Sequence, residues 1–313
     1  MRNQLWIQLA RGAGIAVVAV MGFWNIYSAS AQAEYTVDYI LASQKIDVVT
    51  QPGAIVSVIV PIKNVSEIGW DNTQIQLGTI FSTGEKDRPS AWSTSQWLSE
   101  TRIGLRDTTT WVGAGNVATF NFTIKAPARA GWYREYLQPV INNYWLPGDP
   151  IVIQIQVGDG VEIQSTVDKE IRIYRNAQQG ELIEHGYIVA TLPISSGRAG
   201  YTTPAGKYTI YNHIANAYSS KYALWMPNWM GLSNERTGFV GYGMHSLPYW
   251  KVSSSKYTEG EIYPGGRLYT QGRLYEGYSH LGRAVSHGCV RWGIRESGVI
   301  YNWAPNGTPV QVV

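Results

Sequence analysis

The chain has 313 residues, a formal net charge of +3 and one cysteine. Its length suggests two domains, and such a small net charge gives no argument for nucleic-acid binding, so no nucleic-acid partner is expected. A single cysteine excludes an intramolecular disulfide. Its thiol is therefore either a buried structural group or a working nucleophile.

The first 33 residues have the order of segments of an export signal. Met1 to Arg11 carries two arginines and no acid, an apolar stretch covers 12–24, and Ala31-Gln32-Ala33 fits a signal-peptidase site. We expect a signal peptide at 1–33 and export to the cell envelope, periplasm or cell wall. The alternative is an uncleaved N-terminal anchor, which leaves the bulk of the protein outside the cytoplasm as well.

Residues 34–157 contain short runs in which apolar and polar residues alternate, for example 55–60 and 118–124. Alternation with period two predicts strands with one buried face, and no helical stretch interrupts them. About seven such runs over this length predict an N-terminal immunoglobulin-like β-sandwich.

Tryptophans recur through this region in place of a disulfide: Trp70, Trp92, Trp97, Trp111, Trp132 and Trp145. The region resembles the tryptophan-rich immunoglobulin-like domains of bacterial surface proteins and the four-tryptophan domain of autophagy receptors. The matching pieces are the Pro52-Gly53 turn, Lys63-Asn64, residues 88–90, Ala126-Pro127 and residues 131–133. The aromatics are interpreted as core, with a binding surface for glycan or a surface protein as the alternative.

Residues 158–167 open with Gly158-Asp159-Gly160 and are predicted to be a linker to a second domain at 168–313. Strands are expected at 169–174, 186–193, 207–211, 238–244 and 308–313, and a turn at 176–180. One helix is expected at 293–303. The second domain is therefore predicted to be β-rich with one short helix.

The only cysteine lies in the hexapeptide SHGCVR at 286–291. A structural cysteine needs no particular neighbours, whereas a nucleophilic one profits from a nearby imidazole that takes the thiol proton. Gly288 permits a tight bend that points main-chain N–H groups at a developing oxyanion. The pattern favours nucleophilic chemistry at Cys289.

This hexapeptide, preceded by LGRAV at 281–285, resembles the signature of L,D-transpeptidases with a YkuD-type catalytic domain. Three further stretches agree in the same order: 195–208, the histidine motif GMHS at 243–246, and NGTPV at 306–310. The resemblance spans 166–313. It implies an enzyme that acts on the stem peptides of peptidoglycan and needs no cofactor.

The resemblance assigns the reaction to two side chains. Cys289 attacks the carbonyl between the third stem residue and the terminal D-alanine and holds the stem as a thioester, which the side-chain amine of a second stem resolves into a 3-3 cross-link. His245 is the implied general base, and Ser246 is implied to orient its ring.

The other motif residues are implied to support substrate and loop. His287 lines the pocket, the N–H groups at Gly288 and Cys289 form the oxyanion hole, and Arg291 pairs with a substrate carboxylate or pins the loop. Ser286 is placed in the same supporting set.

Residues 246–279 separate the histidine and cysteine motifs by more than is usual in this family. The segment is rich in tyrosine and is interpreted as a lid over the acyl site. The long separation leaves His280, and less strongly His287, as alternative bases.

Three other functions stay open at the level of sequence. Water as acceptor would make the protein an L,D-carboxypeptidase. A zinc site could draw on Cys289, His245, His280 and His287, although zinc-ligand spacings are missing, so no metal is expected. A non-catalytic wall-binding protein is the third reading.

Overall fold

The structure is a computed structural model that describes residues 38–42, 46–106, 111–159, 167–235 and 238–313. Within these ranges the chain is mainly β with one α-helix, which confirms the predicted fold class. None of the described helices is long and apolar enough to cross a membrane. The signal peptide predicted at 1–33 lies outside the described residues, as does most of the linker predicted at 158–167.

The first half of the chain forms eleven described strands. They are β1 (Tyr39–Leu41), β2 (Ile46–Thr50), β3 (Ile55–Asn64), β4 (Trp70–Asp71), β5 (Ile75–Ile80), β6 (Arg102–Gly104), β7 (Trp111–Val112), β8 (Val117–Lys125), β9 (Gly131–Ile141), β10 (Tyr144–Trp145) and β11 (Ile151–Val157). Strands β1, β3 and β8 form one antiparallel sheet. Strands β2, β11, β9, β5 and β6 pair in that order in a second sheet, where β2 runs parallel to β11.

The inner faces of these sheets supply one apolar core. In β8 every second residue from Ala118 to Ile124 is buried, as the alternating sequence predicts. Trp70, Trp92 and Trp97 join this core, whereas Trp111 is 59% exposed. The core interpretation of the tryptophans therefore holds for these three and not for Trp111, while Trp132 and Trp145 are half-buried. The immunoglobulin-like character of this half stays a prediction.

The second half contributes twelve strands and the helix. They are β12 (Lys169–Tyr174), β13 (Gln179–Glu184), β14 (Tyr187–Pro193), β15 (Gly206–Ser219), β16 (Leu224–Asn234), β17 (Gly238–Ser246), β18 (Tyr249–Lys251), β19 (Ile262–Tyr263), β20 (Arg267–Thr270), β21 (Arg273–Tyr275), β22 (Val290–Trp292), α1 (Ile294–Trp303) and β23 (Pro309–Val312). Their pairings run β14-β13-β12-β23-β15-β16-β17-β22.

The expected turn at 176–180 is shorter than predicted. The turn ends at Gln178, which has a positive φ of 52°, and β13 begins at Gln179. Strands β13 and β18 to β22 have no counterpart among the predicted strands, and neither does β16. Strand β16 pairs along most of its length with β15 and forms a long hairpin whose tip carries Tyr222.

The two halves share one sheet and have adjoining cores. A parallel bridge joins Ile188 on β14 to Tyr133 on β9. On β13, Leu182 packs into the core of the second half and its neighbour Ile183 into that of the first. Adjacent strand residues point to opposite faces, so β13 supplies both cores at once.

Residues 246–279 form ordered structure rather than a long open loop. Strand β18 pairs with β21 and contacts β16 through Tyr249 opposite Trp225, while β19, β20 and β21 make a small antiparallel unit. Two short 3-10 helices lie at Ser254–Lys256 and Tyr278–His280. The insertion is therefore anchored to the main sheet through β18, and its last strand β21 is tied back to β18.

Candidate active site

The cysteine loop is held by a set of short polar contacts. Ser286 Oγ donates to the Cys289 carbonyl at 2.6 Å and accepts from the Gly288 N–H at 3.0 Å. Thr203 Oγ1 donates to the Gly288 carbonyl at 2.7 Å and accepts from the Gly197 N–H at 2.9 Å. These bonds pair the polar groups of a buried turn and fix the direction in which Cys289 enters β22.

Gly288 is required by its surroundings as well as by its backbone. Its φ is +118°, a conformation that side chains rarely adopt, and an added Cβ would lie 2.4 Å from the ring of Tyr242. The bend that the sequence predicted at this position is present.

Strands β17 and β22 bring the predicted base to the predicted nucleophile. They pair in parallel, with Met244 opposite Val290 and His245 opposite Arg291. Met244 and Val290 face the apolar core, so His245, Arg291 and the preceding Cys289 face the other side of the sheet, where all three line one cavity.

His245 is held in one tautomer by a main-chain carbonyl. Its ring is 2% exposed, and Nδ1 donates to the Ser246 carbonyl at 2.6 Å, which leaves Nε2 without a proton and able to accept one. Trp229 stacks on the imidazole with ring centroids 5.8 Å apart. The orienting contact therefore comes from the Ser246 carbonyl, while the buried Ser246 Oγ has no hydrogen-bond partner.

Burial keeps both groups of this pair neutral, and at His245 the charge of Arg291 adds to the effect of burial. Burial, and then the Arg291 guanidinium, lower the pKa of His245 to about 3. Burial raises the pKa of the Cys289 thiol, while a hydrogen bond from the Gly243 N–H and the charge of Arg291 act in the opposite direction. A neutral imidazole beside a neutral thiol is suited to proton transfer during attack, rather than to a preformed ion pair.

Arg291 and His280 meet at a carboxylate that the sequence analysis did not single out. Glu276 Oε2 lies 2.7 Å from Arg291 Nη1, and Glu276 Oε1 lies 3.2 Å from His280 Nδ1. Glu276 and Arg291 line the cavity, but His280 does not. The structure thus places Arg291 in contact with the insertion and places His280 behind Glu276.

The cavity has a volume of about 630 Å³ and an aromatic cover. Tyr222, at the tip of the β15–β16 hairpin, stacks on His287 with centroids 4.5 Å apart, and Tyr201 meets the same ring edge-on at 4.9 Å. Arg198 Nη2 donates to His287 Nε2 at 3.0 Å. His287 therefore lines the cavity, as expected from the sequence. Its imidazole ring is already in contact with Tyr222, Tyr201 and Arg198.

The insertion at 246–279 contributes to the side wall of the cavity and supplies little of its aromatic cover. Pro248, Trp250 and Glu276 line the cavity. Tyr257 packs instead against Tyr263 and Tyr269 at 5.1 and 5.2 Å, within the insertion itself. The β15–β16 hairpin, whose second strand was not predicted from the sequence, supplies Tyr222, Leu224 and Met226 to the lining of the same cavity.

One of the two predicted oxyanion donors is already in use. The Gly288 N–H donates to Ser286 Oγ at 3.0 Å, so it is not free to bind a substrate oxygen in this arrangement. Among the residues that the structure describes, no group of three or more His, Cys, Asp or Glu side chains converges as metal ligands would.

In a mainly β domain, Cys289 directly before β22 and the neutral His245 on the neighbouring strand β17 line one cavity. This arrangement defines a candidate cysteine acyltransferase or hydrolase. Residues 168–312 match the family model described as YkuD, the L,D-transpeptidase catalytic domain. The second half of the chain is thus similar to YkuD-type L,D-transpeptidase catalytic domains, which agrees with the resemblance found in its motifs.

The chain is also similar to individual proteins. A putative L,D-transpeptidase YkuD of Bacillus licheniformis is 26% identical over 153 residues, which cover 49% of this chain and 70% of the relative. The L,D-transpeptidase of Stackebrandtia nassauensis is 23% identical, with a TM-score of 0.33, and the match covers 48% of this chain and 57% of that one. An L,D-transpeptidase from Mycobacterium smegmatis is 12% identical, with a TM-score of 0.33, over 88% of this chain and 99% of that one.

Proposed function

We propose that this protein is an exported peptidoglycan L,D-transpeptidase of the cell envelope, with Cys289 as nucleophile and His245 as general base. The thiol sulfur attacks the carbonyl that joins the third stem residue to the terminal D-alanine, while His245 Nε2 takes the thiol proton. The carbon–nitrogen bond breaks, His245 returns the proton to the leaving amine, and D-alanine departs. The side-chain amine of a second stem then attacks the thioester carbonyl and the carbon–sulfur bond breaks, while the amine proton passes through His245 Nε2 to the Cys289 sulfur. The products are a 3-3 cross-link and the free thiol.

The observation that carries the proposal is the shared face of β17 and β22. It holds Cys289 beside His245, whose unprotonated Nε2 is the atom that a general base needs. The Gly243 N–H contacts the sulfur, and the cavity of about 630 Å³ lies in the range of ligand sites.

The neighbouring groups support the charge that develops during attack. The Arg291 guanidinium favours the thiolate, and the Cys289 N–H is the proposed donor to the oxyanion, a type of contact that contributes roughly 3 kcal/mol to lowering a barrier. Because the imidazole is so weakly basic, proton transfer belongs in the same step as carbon–sulfur bond formation.

The second candidate function is an L,D-carboxypeptidase, in which water resolves the thioester. Tyr222 and Tyr201, which flank His287 at the mouth of the cavity, favour the transpeptidase because an apolar cover limits the access of water to the acyl group. A wall-binding role of the N-terminal half, toward glycan or a surface protein, would add to either activity.

The test is acylation of the mature protein by a disaccharide tetrapeptide, followed by intact mass. We expect an adduct of the donor minus D-alanine, followed by dimeric muropeptide. An adduct that yields only released tripeptide would favour the carboxypeptidase. Absence of any adduct would favour the wall-binding protein.

Two substitutions assign the roles. Cys289→Ala should give no adduct, and His245→Gln, which keeps a polar side chain of similar size, should slow acylation by about 10²-fold or more. His213→Gln is the matched control, because His213 contacts Asn306 and Tyr301 outside this cavity. Equal rates for His245→Gln and His213→Gln would remove His245 from the mechanism.

A further inference from the structure

Glu276 is the one carboxylate that lines the cavity around Cys289 among the described residues. It comes from the insertion at 246–279, directly after β21. Its main-chain N–H donates to the Pro248 carbonyl at 2.8 Å, so the last part of the insertion is tied to its first part at this residue. The position of the carboxylate is therefore fixed by the fold of the insertion.

The carboxylate is shared between two cationic or potentially cationic partners. Its side chain is 14% exposed, and that of Arg291 is 8% exposed, so their 2.7 Å contact is well shielded from water. His280 reaches the other oxygen at 3.2 Å. A shielded ion pair of this kind loses much when one partner is removed, because the remaining charge stays buried.

Arg291 is the charge that links this pair to the reacting groups. It is opposite His245 in the β17–β22 register and two residues after Cys289, on the same face of the sheet. It acts electrostatically on both groups, since its charge disfavours imidazolium at His245 and favours thiolate at Cys289. The position of the Arg291 guanidinium and the neutralisation of its charge by Glu276 therefore decide how strongly the thiolate of Cys289 is stabilised.

We propose that Glu276 is a positioning residue that fixes the Arg291 guanidinium beside Cys289 and offsets part of its charge, so that the insertion at 246–279 sets the ionisation of the nucleophile. This inference rests on the proposed role of Cys289 as the reacting group. It gives the insertion a function in the chemistry in addition to its place in the cavity wall.

The charged and titratable groups around the thiol come from every neighbouring element. His245 lies on β17, Arg291 on β22 and His287 in the cysteine loop, while Glu276 and His280 belong to the insertion. Lys221 on the hairpin lines the same cavity, and Arg198 bonds to His287. Only Glu276 among them is an anion, so its removal leaves the cations uncompensated.

The test is the pH dependence of Cys289 alkylation by iodoacetamide in the full-length mature protein. Glu276→Gln keeps the size and an acceptor oxygen but removes the charge, and we expect the midpoint of the rate profile to fall by about one pH unit. Glu276→Asp, which restores the carboxylate, should return the midpoint toward the wild-type value. Glu261→Gln, at an exposed site in the same insertion, is the matched control and should not move it.

A purely structural role for Glu276 predicts a different result. Glu276→Gln would then lower the thermal midpoint of unfolding without moving the alkylation midpoint, and this outcome would overturn the proposal. Equal shifts for Glu276→Gln and Glu276→Asp would also overturn it, because they would trace the effect to packing.

Arg291→Gln provides a second and independent variant. Loss of the guanidinium should move the alkylation midpoint upward, opposite to Glu276→Gln, and an unchanged midpoint would contradict the proposal even if Glu276→Gln failed to fold. Alkylation needs only the thiol. If the variants show these shifts but the wild type forms no peptide adduct, the electrostatic role of Glu276 stands and the proposed transpeptidase function does not.

Discussion

At the scale of single residues, the buried neutral ring of His245 links the active site to the stability of the protein. Its pKa falls from an ordinary 6.5 to about 3, mainly because of burial. The folded state therefore binds the proton less well than the unfolded state. The stabilisation that this difference implies is complete above the unfolded pKa and is lost as the pH falls from there toward the folded value.

We expect acidification to destabilise the wild type more than His245→Gln. Between pH 7 and pH 4.5 the difference should approach ~2–3 kcal/mol, since each pH unit below the unfolded pKa costs about 1.4 kcal/mol. Urea unfolding of both proteins at the two pH values measures it. Parallel losses in the two proteins would show that the ring is not held neutral by the fold.

The loss of stability caused by a side chain at Gly288 can be measured by comparison with the same substitution at the nearby Gly282. Gly288→Ala places a Cβ against the ring of Tyr242, whereas at Gly282, which also has a positive φ, an added Cβ would meet nothing within 4 Å. Both variants strain the backbone, but only the first adds a clash. Gly288→Ala should lose about 1–3 kcal/mol more stability than Gly282→Ala, and thermal or urea unfolding compares them.

At the scale of elements, the β15–β16 hairpin rather than the tyrosine-rich insertion supplies the aromatic cover. Tyr222→Ala removes the ring that stacks on His287 at 4.5 Å. We expect the ratio of hydrolysis to transfer to rise severalfold, because water reaches the thioester more easily. Product analysis after acylation gives the ratio.

Tyr218→Ala is the control for this measurement. Tyr218 lies on the same hairpin and packs on Trp225 at 4.9 Å, but it does not line the cavity. A rise of equal size in both variants would assign the effect to the hairpin as a whole rather than to the cover at Tyr222.

The local sequence pattern was enough to predict strands with one buried face and the single helix. It was not enough to predict which residues the loops contact in the folded chain. Runs such as 118–124 alternate cleanly and predict β8, and the motif at 286–291 marks Cys289. Strand β16 has no clean alternation, because four consecutive residues from Trp229 to Leu232 are buried and most of the others are half-buried. Glu276 has no motif around it, and its role depends on a contact with Arg291 that only the folded chain creates.

At the scale of the whole molecule, a charge pair crosses between the two halves. Arg129, just before β9, pairs with Glu181 on β13, whose side chain is 6% exposed. Burial raises the pKa of Glu181, and Arg129 acts against that rise. Removal of the arginine takes the ion-pair partner from a buried carboxylate and leaves it with the Tyr174 hydrogen bond and the charge of Arg172, which is costly while the carboxylate stays ionised.

Arg129→Gln should therefore lose ~2 kcal/mol at neutral pH and regain part of it as the pH falls, because protonation of Glu181 removes the buried charge. Calorimetry at two pH values tests this. The double variant Arg129→Gln/Glu181→Gln should recover most of the loss at neutral pH, and no recovery would trace the effect to the packing of the arginine instead.

The shared sheet predicts that these halves unfold together. Residues of β9 and β13 enter both cores, so loss of one core exposes apolar surface of the other. We expect tryptophan fluorescence and far-UV circular dichroism to give one coincident urea transition in all the variants above. Two separate transitions would show that each half holds its own structure.

The single thiol also sets the redox behaviour of the protein. Cys289 is half-buried at a cavity open to solvent, and it is the only cysteine in the sequence. A sulfenic acid formed there has no resolving thiol in the same chain, so it cannot be captured as an internal disulfide. Recovery from oxidation would depend on a small-molecule thiol or a partner reductant that reaches the cavity past Tyr222 and Tyr201.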